Sequence, residues 1–178
     1  PERIAKFRGA AEVAIYTPGS NAGRPLNVLR SFAAPPAAVM DDADLVRDRI
    51  TSAASGLLAL LNVDADPVRS REHILLANLL SYYWQAGKDI DLAGLIHGIQ
   101  APPFERVGII DLETFFPAKD RNDLAMRLNS LLASPSFGAY MQGEPIDVQR
   151  LLYTREGKPR LSIISVAHLG DSERMFFI

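Results

Sequence analysis

The chain has 178 residues, of which 48% are hydrophobic and 22% are charged, and its formal net charge is -2. This composition is typical of a globular protein, and the charge argues against a basic nucleic-acid-binding surface across the whole chain. Because there is no Cys, disulfides and thiolate chemistry are excluded, which fits the cytoplasm as the predicted location. No apolar run is long enough to predict a membrane span, so no membrane partner is expected.

The first predicted strand is EVAIY, residues 12–16, and it leads into the loop TPGSNAGRP. A glycine-rich turn after a strand can present backbone amides to a phosphate group. A P-loop, however, requires GxxxxGK[ST], and the same spacing counted from Gly19 gives GSNAGRP, which has neither the Lys nor the hydroxyl residue. A surface turn is therefore the favoured interpretation of this loop.

Helical spacing dominates the next hundred residues. Asp41 or Asp42 is predicted to cap a helix with apolar residues at three- and four-residue intervals. Asp66 and Pro67 are predicted to begin a second helix that stops at Gly87 and is buried in its second half. Further helices are predicted at 92–99 and 121–133, with shorter helical turns at 136–142 and 146–153.

Two later segments are predicted to be strands, a brief one at 107–110 and RLSIISVAHL at 160–169. Ile163, Ile164 and Val166 include adjacent apolar residues, which predicts burial on both faces of a parallel sheet covered by helices. Strands 11–16 and 160–168 are predicted to be parallel neighbours or near-neighbours, which requires a crossover through the helical block. The predicted fold class is therefore α/β and helix-rich, with a few parallel strands and a helical insertion.

Few residues suggest chemistry of their own. His73, His97 and His168 lie in separate segments without metal-ligand spacing, so no metal site is predicted. His168 is the most interesting of them, because it lies at the predicted carboxyl end of a strand, where α/β sheets place ligands. IIDLE, with Asp111 at its centre, superficially resembles a Walker B strand, but its apolar run is short. No nucleophile elbow is present, and no self-contained active site is predicted.

Two local basic patches stand out from the acidic average. One is REGKPR, from Arg155 to Arg160, and the other is Arg47 with Arg49. A solvated turn or helix face is the favoured interpretation of each patch, and nucleic-acid contact is the alternative.

The last segment, AHLGDSERMFFI, has the pattern of a first helical turn but not of a second. Asp171 can act as an N-cap, but one turn cannot stand alone, because nucleation costs more than a single turn returns. The chain also opens on Pro1. We therefore expect a piece of a longer protein that exposes an apolar surface at 175–178 and self-associates through it and through an unpaired sheet edge.

Four segments carry a family resemblance. EVAIYTPGSNAGRPLNVLRSFAAPP, DADPVRSREHILLANLL, FFPAKDRNDLAMRLNSLLASPSF and GEPIDVQRLLYTREGKPRLSIISVAHLGDSERMFF together resemble the middle of bacterial HerA/FtsK-like P-loop ATPases, the helicase HerA-like ATP-binding proteins. The resemblance covers essentially all of the chain, and the segments occur in the family's order.

This resemblance implies that the chain lies between two motifs it does not contain. The Walker A loop would lie upstream of the first strand, and the Walker B strand would lie downstream of residue 172. Residues 1–35 and 151–178 would belong to a RecA-like ATPase core, and 36–150 would be a helical insertion. ATP and Mg²⁺ would be bound by the intact protein only, so this fragment would have no catalytic, ATP-binding or metal residue and no activity alone.

Members of this superfamily commonly form ring-shaped homo-oligomers that couple ATP hydrolysis to movement along DNA. An arginine from one subunit often stabilises phosphate charge in its neighbour. Arg71, Arg121 and Arg174 are the candidates here because they open predicted helices, although surface ion pairing is the favoured role for each. The rival hypothesis is a non-enzymatic helical module that docks on a partner protein.

Overall fold

A computed structural model describes residues 6, 9–27, 32–146, 148–171 and 174. The strands of this part of the chain are β1 (Glu12–Tyr16), β2 (Leu26–Asn27), β3 (Arg106–Val107), β4 (Ile110–Asp111), β5 (Glu144–Pro145) and β6 (Arg160–Ile164). The α-helices whose two ends are described are α1 (Ala37–Met40), α2 (Ala43–Leu60), α3 (Arg71–Gln85), α4 (Leu92–Gln100), α5 (Leu112–Phe115), α6 (Ala118–Ala133), α7 (Pro135–Gly138) and α8 (Val148–Leu152). The predicted mixture of helix and strand, rich in helix, is confirmed, and the finer assignment to a RecA-like core stays a prediction.

Contacts within the chain define two compact units. The first unit combines residues 1–31 with 134–169, and the second combines 32–133 with 170–178. The first unit therefore contains β1 and β6, while the second contains most of the helices. The division into an ATPase core and an insertion stays a prediction.

Strands β1 and β6 pair in parallel although they are far apart in the sequence. Glu12 lies opposite Arg160, and Tyr16 lies opposite Ile164. The amide of Ser165 donates to the carbonyl of Tyr16 at 2.8 Å and forms the last rung of the ladder. The predicted parallel pairing of the two segments, and the crossover it requires, are confirmed.

Strand β6 ends at Ile164, so the prediction of a strand as far as residue 169 was wrong. The physical reason is that β1 ends at Tyr16 and turns at Pro18, which leaves β6 without a partner on that side. Its chain then turns as well, and the amide of Leu169 donates to the carbonyl of Val166 at 3.1 Å. His168 consequently lies in a turn beyond the sheet.

The two faces of the β1–β6 sheet have different environments. On one face Ala14 and Tyr16 are buried together with Leu26, and Leu151 of α8 packs against them. The opposite face, called the open sheet face below, carries four apolar side chains that are 45–51% exposed: Val13, Ile15, Leu161 and Ile163. The prediction that 160–169 would be buried on both faces was therefore wrong, because α8 covers one side only.

The second unit is built around helices α2, α3, α4 and α6, which pack pairwise through buried leucines. Asp42 caps α2 through bonds from two backbone amides, and Asp91 caps α4, as expected for N-cap carboxylates. The indole N–H of Trp84 donates to the carbonyl of Phe32 at 2.9 Å, so this large side chain is buried without losing its hydrogen bond.

Three predicted boundaries in this unit were wrong. Helix α3 begins at Arg71 after the N-cap Ser70, because Asp66 caps a separate turn by accepting bonds from the amides of residues 68 and 69. Residues 107–110 form the turn of the β3–β4 hairpin and not one strand. Helix α6 begins at residue 118 and not at residue 121. Glu113 accepts a hydrogen bond from the Ala118 amide at 2.9 Å, which stabilises this earlier start.

The predicted apolar turn at 175–178 lies outside the described residues. In the part of the chain that the structure describes, no helix combines the length and the apolar character needed to cross a membrane.

Candidate functional site

The carboxyl ends of β1 and β6 form the place where a parallel sheet would bind a ligand. The loop after β1 closes on itself there. The hydroxyl of Thr17 donates to the carbonyl of Ser20 at 2.8 Å and accepts from the amide of Gly23 at 2.9 Å. The amide of Arg24 donates to the carbonyl of Ile15 at 2.9 Å and returns the chain to the strand.

Most backbone amides of this loop donate to acceptors within the loop itself. Those of residues 17, 20, 22, 23 and 24 all donate to acceptors within the segment 15–24, and Pro18 has no amide hydrogen. A phosphate cradle needs several neighbouring amides directed outwards. The loop geometry therefore agrees with the surface-turn interpretation, and the described residues here do not fit ATP phosphates.

His168 and Tyr140 hold the tip of the loop. Nε2 of His168 lies 2.7 Å from the carbonyl oxygen of Pro18, and since a carbonyl can only accept, Nε2 carries the hydrogen and donates it. Gly19 has φ +66° and lies under the ring of Tyr140, where a Cβ atom would come within 2.5 Å. This geometry gives His168 an anchoring role, linking the ends of the two strands.

A second polar cluster joins the amino ends of the same strands. The Arg160 side chain is 11% exposed, and its guanidinium donates to the Tyr16 hydroxyl at 3.2 Å and the Arg150 carbonyl at 2.7 Å. It also forms an ion pair with Glu12 at 3.1 Å, and Glu12 forms a second ion pair with Arg24 at 3.1 Å. Arg160 thus connects β6 to β1 and α8.

The REGKPR patch is divided by this arrangement. Arg155 is exposed in the turn before β6, while Arg160 is mostly buried in the strand. The carboxylate of Glu156 accepts hydrogen bonds from its own backbone amide and from the Thr154 hydroxyl, which lowers its pKa. An open cavity of about 330 Å³ beside the turn is lined by carboxylates as well as arginines, including Glu12, Glu144 and Glu156. The alternating charges agree with a solvated turn.

Two of the three candidate arginines meet at Phe116 in the second unit. The guanidinium of Arg71 lies over the Phe116 ring, 5.1 Å from its centroid, and pairs with Asp120 at 3.5 Å. Arg121 donates to the Phe116 carbonyl at 2.6 Å and to Glu113 at 3.2 Å.

These two arginines differ in their availability to another molecule. Arg121 is 6% exposed and is held by Glu113 and the Phe116 carbonyl of the preceding segment, so its geometry is that of a structural residue. The Arg71 side chain is 47% exposed, and Arg71 is the first residue of α3. Arg174, the third candidate, pairs with Asp171 at 3.7 Å and is 43% exposed. A role for any of them between subunits stays a prediction.

The segment IIDLE has a structural role in this unit. Asp111 lies in the exposed β3–β4 hairpin and pairs with Arg106 at 3.3 Å, whereas a Walker B carboxylate follows a buried parallel strand. Glu113 accepts from both Ala118 and Arg121. Sequence reasoning missed this double role of Glu113, because it lies five residues before the helix that it caps and outside the usual capping-box spacing.

The histidines do not converge. His97 is exposed on α4, and His168 holds the loop of the first unit. His73 is 2% exposed, with Nε2 3.1 Å from the hydroxyl oxygen of Ser55. No group of His, Asp and Glu able to hold a metal ion occurs among the residues that the structure describes.

Comparison with known proteins adds no relative. No family model matches the chain, and neither the curated proteins nor the solved structures gave a match. The resemblance to HerA/FtsK-like ATPases therefore stays a prediction from the sequence segments.

Proposed function

We propose that this chain is the central segment of a HerA-like ATP-dependent DNA translocase, between the Walker A and Walker B motifs. The parallel pairing of β1 with β6 carries this proposal. Parallel neighbours so distant in sequence are typical of α/β proteins, in which a crossover returns the chain to the same sheet. A helical unit between the two strands is the arrangement expected of an ATPase core with an insertion.

The open sheet face also favours a larger protein core. Parallel sheets occur almost entirely with both faces covered, and here α8 covers one face while Val13, Ile15, Leu161 and Ile163 remain about half exposed. Further elements of the same polypeptide would cover this face in the intact ATPase. In such an assembly, a homo-oligomeric ring would form around DNA, and ATP with Mg²⁺ would bind to the Walker motifs of the intact protein and not to this segment.

A titration tests whether the segment has a nucleotide site of its own. We expect a fluorescent ATP analogue to show no saturable binding to the 178-residue chain, with or without Mg²⁺, and we expect no ATP hydrolysis. The reason is that the amides of residues 17, 20, 22, 23 and 24 bond within the loop and that no lysine follows its glycines. Micromolar binding that requires Mg²⁺ would contradict the proposal.

The second candidate function is a helical module that docks on a partner protein. The observation in its favour is that α2, α3, α4 and α6 enclose a core of their own. The reading frame around the segment separates the two candidates. A GxxxxGK[ST] loop upstream and an apolar strand ending in Asp-Glu downstream support the ATPase, and a frame without either motif supports the docking module.

A further inference from the structure

No further inference is drawn: the strongest candidate, the open sheet face that β1 and β6 form with Val13, Ile15, Leu161 and Ile163, is an unpartnered apolar patch, and nothing among the residues that the structure describes shows what covers it.

Discussion

Replacing Gly143 with Ala is expected to destabilise the first unit by about 3–5 kcal/mol. Gly143 has φ +102°, a conformation that residues with a side chain rarely adopt. An added Cβ would lie 2.1 Å from the carbonyl oxygen of Pro25 and 2.9 Å from the amide nitrogen of Leu26. These atoms belong to the backbone where β2 meets β5, so the clash displaces the strand pairing.

Gly138→Ala provides the matched control for this substitution. Gly138 lies in α7, and an added Cβ would have nothing within 4 Å. Because Ala is the better helix former, this variant should be as stable as the parent or up to about 1 kcal/mol more stable. Urea unfolding of both variants gives the comparison, and similar midpoints for Gly143→Ala and the parent would contradict the backbone conformation described for Gly143.

Replacing Arg160 with Ala is expected to cost about 2–3 kcal/mol of unfolding free energy, because it removes charge-assisted hydrogen bonds from a mostly buried group. Tyr16, Glu12 and the Arg150 carbonyl would each lose a partner. The carboxylate of Glu12 keeps its ion pair with Arg24, which limits the loss.

Arg155→Ala is the control for Arg160→Ala, since Arg155 is exposed in the adjacent turn. We expect its unfolding free energy to stay within about 0.5 kcal/mol of the parent. Arg160→Lys should fall between the two, because an ammonium keeps the charge but lacks the planar fork that reaches several acceptors. Equal losses for Arg155→Ala and Arg160→Ala in thermal or urea unfolding would show that Arg160 does not connect the two strands.

Local capping signals predicted several helix ends well. Asp42 accepts from the amides of Asp44 and Leu45, and Gly87 adopts φ +63° after α3. Each signal acts through one side chain or one backbone position, so it can be read from a few residues. Asp66 shows the limit, because the same signal began a single turn and the helix followed only after Ser70.

The extent of β6 could not be predicted from its own residues. Its apolar pattern continues past Ile164, but a strand ends where its partner ends, and β1 turns away after Tyr16. The environments of the candidate arginines could not be predicted from neighbouring residues either. Arg71 and Arg121 both read as residues near helix starts, and their different burial depends on Phe116 and Glu113, which meet them only through the fold.

The parallel register of β1 and β6 is the observation on which the proposed function depends, and disulfide formation measures it directly. The parent chain has no Cys, so each engineered pair is unique. The register places Ile15 opposite Ile163 and Val13 opposite Leu161, and all four side chains are on the open sheet face. A disulfide requires Cα atoms about 4.4–6.8 Å apart, which suits directly opposed residues and excludes most diagonal ones.

Four double-cysteine variants are compared under mild oxidation, with cross-links scored by a mobility shift that reductant reverses. We expect I15C with I163C, and V13C with L161C, to form disulfides rapidly. The exchanged pairs, I15C with L161C and V13C with I163C, should remain reduced, because they would be opposed only in an antiparallel sheet. Rapid cross-linking of the exchanged pairs, with the first two remaining reduced, would contradict the parallel pairing and the function proposed from it.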